Sequence, residues 1–364
     1  MNTLLLVRHL SKSYGGVSAV RDVDLEVREG EFLTFLGPSG SGKSTLLYMI
    51  AGIEAATSGD IEFGGKSLLA MPPHKRDFGM VFQRYTLFPT MTIDENIAFP
   101  LRARGWDRHK IESRVDEMLA LVRMQGFRGR RPDQLSGGQQ QRIALARALA
   151  YHPRMLLMDE PLAALDKKLK EKIQVEIRRI HRETGVTILY VTHDQEEAIR
   201  LADRIAVFSA GRIEQIAAPD ALYEQPATRF VAGFVGNSNF LSARIASGRG
   251  GTPVALLPDG SAIENAQLQD GLAVGDAADV LLRPEQLVLC AVGEPHSVAV
   301  TVRDITYLGE ALEVVAETNW GQFISARLPR RTARAVKTGD MAALSWASGP
   351  ALVFVPADSN AGRA

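Results

Sequence analysis

One glycine-rich octapeptide constrains the fold of this chain more than any other feature. It reads Gly37-Pro38-Ser39-Gly40-Ser41-Gly42-Lys43-Ser44 and fits the pattern G-x-x-x-x-G-K-[ST]. The apolar run Glu31–Leu36 predicts a buried strand before it, and Lys43–Ile50 predicts a helix after it. Glycines let the backbone approach closely, while loop N–H groups and the positive end of the helix attract phosphate oxygens. The segment therefore predicts a phosphate-binding loop in an α/β fold; the alternative is an ordinary glycine-rich turn before a helix.

Residue types around this loop predict a site for Mg²⁺ and a reacting phosphate. Lys43 would reach the β- and γ-phosphates, Ser44 would bind Mg²⁺ through its hydroxyl, and Thr45 would support the α-phosphate side. The acidic pair Asp159 and Glu160 follows an apolar run. Beside a phosphate loop, the first carboxylate can hold Mg²⁺, partly through water, and the second can polarise an attacking water. The alternative is an acidic pair that only ends a strand in a solvated turn.

Hydrophobic periodicity divides the chain into two predicted domains, 1–236 and 237–364. In the first, strand and helix patterns alternate, as in an α/β domain. Its predicted strands are Phe78–Phe82, Met155–Met158 and Thr187–Thr192, and its predicted helices are Ser113–Val122, Gln139–Ala150 and Leu169–Glu183. In the second, short β runs separated by Gly, Pro and Asp predict a small all-β barrel or sandwich. The runs are Phe240–Ala246, Asp279–Leu282, Val298–Ile305, Leu312–Ala316, Phe323–Leu328 and Leu352–Val355.

Composition argues against several classes of function. The chain has 364 residues with 42 basic and 42 acidic side chains, so a strongly basic nucleic-acid binder is not expected. Cys290 is the sole cysteine, so no intramolecular disulfide can form and a reducing compartment is expected. No apolar run approaches the roughly 18 residues needed to span a bilayer, and the N-terminus lacks a signal-peptide pattern. Work at a membrane would therefore require another chain.

Further motifs indicate the class of protein. A predicted helix opens with Leu135-Ser136-Gly137-Gly138-Gln139, below called the signature segment. Gln83 and His193 each follow a predicted strand, Asp166 follows the acidic pair, and Tyr14 lies near the start. In this order the motifs resemble the ATPase subunit of ABC transporters over residues 3 to about 236, and the LSGGQ pentapeptide is that family's own mark. The resemblance implies a P-loop NTPase fold with a helical subdomain, and a reaction that converts ATP and water to ADP and phosphate.

The resemblance also implies a role for each of these side chains. Tyr14 would stack on adenine, and Gln83 would contact Mg²⁺ or the attacking water and sense a transmembrane partner. His193 would bond the γ-phosphate and orient Glu160, which would act as the general base. Taken singly, Tyr14, Gln83 and His193 could also be a surface aromatic, a solvated turn residue and a structural histidine.

The signature segment predicts a second anion site, because it begins a helix. In the family this segment meets the γ-phosphate that the other subunit's P-loop holds. The resemblance therefore implies a head-to-tail homodimer that encloses two ATP molecules, with Asp166 communicating across the interface. Ala163 stands where the family often has Ser, which removes one hydroxyl donor from that interface.

The C-terminal residues resemble the OB-like accessory domain, of the TOBE type, found in importer ATPases. The recognisable pieces are Leu282-Arg283-Pro284-Glu285 and Tyr307-Leu308-Gly309. The resemblance implies a dimerisation and regulatory module, whereas small barrels of this type elsewhere bind oligonucleotides or sugars. Arg283 and Glu285 could also be an ordinary surface ion pair.

Together these features favour the ATPase subunit of an ABC importer that uses ATP and Mg²⁺. The expected partners are a second copy, two transmembrane permease subunits and, indirectly, a solute-binding protein, with no nucleic acid. The expected location is the cytoplasmic face of the inner membrane, as a peripheral subunit. Three segments look most like polyamine (spermidine/putrescine) importers, ahead of ferric-iron, phosphonate and sugar importers. These segments are His74–Asp77, Ile97–Leu101 and Thr228–Val231.

Two other functions compete with the importer hypothesis. A non-transport ABC ATPase of DNA maintenance is disfavoured because the net charge is zero and no long coiled coil is predicted. A passive nucleotide-binding module is disfavoured because the chain retains Glu160 and His193, the residues expected to activate water.

Overall fold

The computed structural model describes residues 2–248, 251–294, 296–330, 336–346 and 351–357. The chain forms two compact units, Met1–Ala221 and Leu222–Ala364. This division lies before the boundary predicted between residues 236 and 237. The short segment between the two positions therefore belongs to the second compact unit.

The first unit is built on a six-stranded sheet with helices packed against it. Its strands, in chain order, are β1 (Thr3–Tyr14), β2 (Val17–Arg28), β3 (Phe32–Leu36), β4 (Ser58–Phe63), β5 (Lys66–Ser67), β6 (Phe78–Val81), β7 (Met155–Asp159), β8 (Thr187–Thr192), β9 (Arg204–Ser209) and β10 (Arg212–Ala217). The six-stranded sheet has the order β10-β9-β3-β8-β7-β6, and a smaller sheet has the order β2-β1-β4-β5. Pairing from β9 to β6 is parallel, and only the edge strand β10 is antiparallel.

The described residues form eight α-helices. They are α1 (Lys43–Ala51), α2 (Ile93–Ala103), α3 (Arg108–Leu121), α4 (Gly137–Leu149), α5 (Lys167–Thr184), α6 (Gln195–Leu201), α7 (Pro219–Glu224) and α8 (Arg229–Phe234). The predicted helix Ser113–Val122 begins earlier than expected, because Asp107 caps α3 by accepting a hydrogen bond from the His109 backbone N–H at 2.9 Å. The predicted strands and the helix over Leu169–Glu183 are found with small shifts at their ends.

The central strands are apolar throughout because both faces of the parallel sheet are covered. In β8, Ile188 and Tyr190 pack into one hydrophobic core, and Leu189 and Val191 pack into the other. Each fully buried side chain of this size contributes about 1.5–3 kcal/mol. Because β3, β6, β7 and β8 run parallel, the residues that follow them meet at one edge of the sheet. This arrangement places the phosphate loop, the acidic pair and His193 at that edge.

The second unit is all-β apart from short helices. Its strands are β11 (Asn239–Ser247), β12 (Pro253–Leu256), β13 (Ala262–Ile263), β14 (Ala266–Leu268), β15 (Ala277–Leu282), β16 (Leu287–Cys290), β17 (Ser297–Tyr307), β18 (Ala311–Thr318), β19 (Phe323–Pro329), β20 (Met341–Trp346) and β21 (Ala351–Phe354). They form two sheets, β13-β12-β11-β15-β21-β14 and β16-β20-β17-β18-β19. Both sheets contribute to one hydrophobic core. The prediction of an α/β part followed by an all-β part is confirmed.

The second unit holds its own N-terminal segment through Arg283, which is 2% exposed. The Arg283 guanidinium donates to the carbonyls of Ala232 and Val235 at 2.9 Å and to the carbonyl of Tyr223 at 3.0 Å. It also lies over the Tyr223 ring, 4.1 Å from its centroid. The alternative that Arg283 and Glu285 form a surface ion pair is wrong: Arg283 is buried, and Glu285 instead accepts from the Tyr223 hydroxyl. These bonds explain why the compact unit begins before residue 237.

Candidate nucleotide-binding site

The phosphate loop between β3 and α1 requires glycine at two positions because neighbouring backbone lies very close. A Cβ atom at Gly37 would lie 2.4 Å from the Phe208 carbonyl oxygen. A Cβ atom at Gly42 would lie 2.4 Å from the Ala19 carbonyl oxygen, and Gly42 has a φ of +98°. The loop thus wraps tightly against β9 and β2. The middle of the predicted octapeptide, Pro38, Ser39 and Gly40, is exposed on the rim of the loop.

Lys43 is fixed inside the loop rather than extended into solvent. It is 4% exposed, and its ammonium donates to the carbonyls of Gly37 at 2.8 Å and Pro38 at 2.7 Å. Burial lowers the pKa of Lys43, and the nearby carboxylates of Glu160 and Asp159 act in the opposite direction. The charge therefore stands at the centre of the loop and close to the acidic pair.

The carboxylate of Asp159 is held from α1 by two hydroxyl groups. Ser44 Oγ donates to Asp159 Oδ1 at 2.7 Å, and the Tyr48 hydroxyl donates to Asp159 Oδ2 at 2.5 Å. Asp159 is 5% exposed. Burial, followed by the hydrogen bond to Asp159, raises the pKa of Tyr48 well above its usual value. Sequence reasoning did not include Tyr48, although its position four residues after Ser44 puts both side chains on one helix face.

The Ser44–Asp159 pair is suited to Mg²⁺. Among the residues that the structure describes, no group of three or more His, Cys, Asp or Glu side chains could hold a metal ion. Mg²⁺ prefers oxygen ligands and is commonly held by one or two carboxylates together with substrate phosphates and water. A hydroxyl and a carboxylate 2.7 Å apart, beside a phosphate loop, match that donor set.

Glu160 is oriented by its backbone and by His193. Its φ is +42°, a left-handed conformation that is costly for a residue with a side chain. The Glu160 N–H donates to the Val191 carbonyl at 3.0 Å, which fixes the end of β7 against β8. The Glu160 Oε1 atom lies 3.1 Å from His193 Nδ1. The two side chains can therefore hold a water molecule and share its proton at the sheet edge.

A buried polar cluster lies directly behind His193. Glu197 is 2% exposed and accepts from the hydroxyls of Tyr190 and Thr192, both at 2.9 Å. The Lys170 ammonium lies 3.3 Å from the other Glu197 oxygen. The cluster connects α5, β8 and α6, and sequence reasoning missed it because Lys170 and Glu197 are far apart along the chain.

The signature segment is packed against the start of α5. A Cβ atom at Gly138 would lie 2.9 Å from Leu169 Cδ1, so a side chain there would require Leu169 to move. The Ser136 backbone N–H donates to Gln139 Oε1 at 2.9 Å. Asp166 caps α5 by accepting from the Leu169 N–H at 3.1 Å. Within the described ranges, no hydrogen bond joins this segment to the phosphate loop.

Tyr14 and Gln83 are two further predicted site residues, and both side chains are exposed. Tyr14 is 46% exposed, and the Lys12 ammonium lies 4.7 Å from its ring centroid. Lys12 is anchored in turn by the Ala55 carbonyl at 2.6 Å and by Glu54 at 3.3 Å. Gln83 is exposed just beyond β6. In the part of the chain that is described, no hydrogen bond links either residue to Lys43, Asp159, Glu160 or His193.

Comparison with known proteins agrees with this geometry. Residues 20–163 match the family described as ABC transporter, and residues 280–354 match the TOBE domain. The chain is 47% identical over 359 residues to "Spermidine/putrescine import ATP-binding protein PotA 1" of Pseudomonas aeruginosa, with 96% of each chain covered. It is 43% identical to "Spermidine/putrescine import ATP-binding protein PotA" of Rubrobacter xylanophilus, with 93% of this chain and 90% of the relative covered.

A solved structure matches the first part of the chain. It is described as the dimeric post-hydrolysis state of the ATP-binding cassette MJ0796 bound to ADP and Pi. The match has a TM-score of 0.54 at 34% identity and covers 59% of this chain and 98% of that chain. The chain therefore belongs to the ABC transporter family, as an ATP-hydrolysing subunit with a C-terminal TOBE domain. The resemblance predicted from the sequence motifs is confirmed.

Proposed function

We propose that the protein hydrolyses Mg²⁺-ATP in a homodimer and that this reaction drives polyamine uptake through separate membrane permease subunits. The observation that carries the proposal is the convergence of five side chains at one sheet edge. Lys43 and Ser44 of the phosphate loop lie beside Asp159, and Glu160 lies 3.1 Å from His193. This set can bind a triphosphate and activate a water molecule.

In the proposed reaction, the loop N–H groups and Lys43 bind the β- and γ-phosphates, with Thr45 on the α-phosphate side. Ser44 and Asp159, with Gln83 from the end of β6, would hold Mg²⁺. The bound ion would neutralise negative charge on the phosphates. Glu160 accepts a proton as water attacks the γ-phosphorus, and the bond to the β–γ bridging oxygen breaks in line. His193 keeps the Glu160 carboxylate oriented during this transfer.

Completion of the site requires a second copy. Ser136 caps α4, and Gly137 and Gly138 begin it. The Ser136 N–H is taken by Gln139, so the N–H groups of Gly137 and Gly138 are the ones proposed to meet an anion. In a head-to-tail pair each signature segment would face the partner's phosphate loop, which yields two composite sites. The dimeric form of MJ0796 supports this arrangement. Asp166, at the start of α5, would sense the partner, and Tyr14 would stack on the adenine.

Transport is proposed to occur through two transmembrane permease subunits that this protein binds at the cytoplasmic face of the inner membrane. No helix among the described residues is long and apolar enough to cross a membrane. The relatives are named as import ATP-binding proteins for spermidine and putrescine, which supports a polyamine as the solute. A solute-binding protein would deliver it to the permease. Ferric iron, a phosphonate or a sugar are the competing solutes. Gln83 would contact the permease and couple that contact to the nucleotide site.

The domain at 237–364 is proposed to support dimerisation and regulation. Its core is closed by its own two sheets, so it does not depend on the nucleotide site for packing. Arg283 ties the preceding segment to it through buried hydrogen bonds. Ala163, which is exposed in the first unit, is proposed to weaken coupling between copies, because it lacks the hydroxyl donor of the serine often found there.

The test is Glu160→Gln in the full-length protein. Phosphate release should be abolished while ATP binding is retained, and the ATP-bound protein should accumulate as a dimer in size-exclusion chromatography. Glu112→Gln, at a carboxylate on α3 that is half exposed, is the matched control and should hydrolyse ATP at the parent rate. Parent-level phosphate release by Glu160→Gln would exclude the proposed base.

The solute is tested separately in proteoliposomes that contain the protein with its cognate permease and solute-binding protein. ATP-dependent uptake of labelled spermidine or putrescine is expected. Uptake of ferric iron, a phosphonate or a sugar, with no uptake of polyamine, would contradict the proposed substrate while leaving the ATPase proposal intact.

A further inference from the structure

Tyr48 engages the same carboxylate that is proposed to hold Mg²⁺. Its hydroxyl donates to Asp159 Oδ2 at 2.5 Å, while Ser44 donates to Asp159 Oδ1 at 2.7 Å. Ser44 and Tyr48 are four residues apart on α1 and therefore lie on one face of the helix. One helix thus holds both oxygens of a carboxylate that belongs to a different strand.

The phenol is suited to orienting a carboxylate without neutralising it. A phenol is neutral at neutral pH, so the Tyr48 hydroxyl donates to Asp159 Oδ2 without adding a charge. A lysine at this position would compete with the metal through its charge. Asp159 is 5% exposed, so little water is available to replace the phenol.

We propose that Tyr48 is a positioning residue for Asp159, which it holds so that Oδ1 stays with Ser44, the hydroxyl that binds Mg²⁺. This inference rests on the proposed use of Mg²⁺. Without the phenol, the carboxylate gains rotation about its Cβ–Cγ bond and occupies the metal-binding orientation for a smaller share of the time. Partners that orient a metal ligand in this way commonly determine metal affinity although they never touch the metal.

The test is Tyr48→Phe in the full-length protein, which keeps the ring and removes only the hydroxyl. The affinity for a fluorescent ATP analogue is measured across a series of Mg²⁺ concentrations and in EDTA. The half-maximal Mg²⁺ concentration should rise about 10-fold, at the lower end of the effect of removing such partners. Affinity in EDTA should equal that of the parent. Turnover should fall at limiting Mg²⁺ and recover at saturating Mg²⁺.

Tyr151→Phe is the matched control. Its hydroxyl donates to the Phe78 carbonyl at 2.5 Å, so the variant also loses one phenol hydrogen bond, but not one to the acidic pair. It should keep the parent Mg²⁺ response, and both variants should melt at similar temperatures.

Each remaining outcome is decisive. An unchanged Mg²⁺ response of Tyr48→Phe, with a normal response of the parent, overturns the positioning role. A loss of affinity that is equal in EDTA and in Mg²⁺ also overturns it, since the hydroxyl would then support the loop rather than the metal site. A parent protein that binds and hydrolyses ATP without any divalent cation contradicts the proposed function itself.

Discussion

At the scale of single residues, Glu160 carries conformational strain at the point where the chemistry is proposed. A side chain in the left-handed region costs of order 1–2 kcal/mol relative to glycine. The Glu160 backbone is held there by its hydrogen bond to Val191 and by the Ala163 N–H, which donates to the Glu160 carbonyl at 3.2 Å. The strained turn aims the carboxylate at His193 instead of along the strand. The local loss of stability therefore accompanies the placement of Glu160 Oε1 beside His193.

This strain predicts opposite effects of glycine on stability and on activity. Glu160→Gly should be more stable than Glu160→Gln by about 1 kcal/mol, because only glycine adopts the left-handed region without strain. Both variants should lack ATP turnover. Urea denaturation of the two variants measures the difference in their free energies of unfolding. Because both variants lack the carboxylate, its loss does not contribute to this difference. Equal stabilities would show that the turn at residue 160 is not strained.

At the scale of elements, the cluster around Glu197 determines how α5 and α6 are fastened to β8. Glu197 accepts two hydroxyl hydrogen bonds from β8 and an ion pair from Lys170 on α5. Asp194 caps α6 by accepting from the Glu196 N–H at 3.0 Å. His193 lies between the β8 hydroxyls and this cap, so the same contacts limit its freedom.

A buried ion pair and an exposed pair on the same two helices should differ strongly in their contribution to stability. Glu197→Gln should lower the free energy of unfolding by about 1–3 kcal/mol, since it removes the buried carboxylate that pairs with Lys170 and leaves Asp194, at 3.4 Å, as the remaining partner of that ammonium. Glu196→Gln removes an exposed partner of Lys167, with side chains 60% and 76% exposed, and should cost less than about 0.5 kcal/mol. Chemical denaturation measures both.

Comparable losses for the two variants would contradict the structural role of the Glu197 cluster.

At the scale of the whole molecule, the two parts of the proposed nucleotide site are not joined by a hydrogen bond among the described residues. In the proposed function, the phosphate loop, Asp159 and Glu160 would form one half of the site, and the signature segment would form the other. The signature segment instead packs against Leu165, just before α5, and Leu169, in the first turn of α5. A second copy in head-to-tail orientation would bring the two halves together twice.

This arrangement predicts complementation between two inactive variants. Lys43→Ala destroys the phosphate loop, and Ser136→Arg destroys the signature segment. In a mixed dimer, one site combines the intact phosphate loop of the Ser136→Arg copy with the intact signature segment of the Lys43→Ala copy. In an equimolar mixture, half of the dimers are mixed, and each mixed dimer has one of its two sites intact. If the two sites act independently, the mixture should therefore recover about a quarter of parent activity.

The matched control mixes Lys43→Ala with Glu160→Gln, whose defects lie in the same half of the site. No mixed dimer then contains an intact site, and activity should stay absent. Equal behaviour of the two mixtures, with mixed dimers verified by mass, would rule out composite sites.

Local sequence was sufficient for the main outline of the fold. The phosphate loop, the apolar strands and the acidic pair were predictable because each depends on neighbours within a few residues. The parallel order of the strands places Lys43, Asp159, Glu160 and His193 at one edge of the sheet. The switch to short β runs after residue 237 likewise predicted the all-β second part.

Tertiary structure decided the features that depend on packing between distant segments. Tyr48 is an ordinary helix residue in the sequence and becomes a partner of Asp159 only when α1 packs beside β7. Arg283 is buried and does not form a surface ion pair, because the segment before β11 folds over it. Its desolvated guanidinium is satisfied by the carbonyls of that segment. Sequence alone determined which chemical groups the protein carries and the local elements that present them. Only packing decided which of those groups are paired, because a buried polar group is stable only where another part of the chain satisfies it.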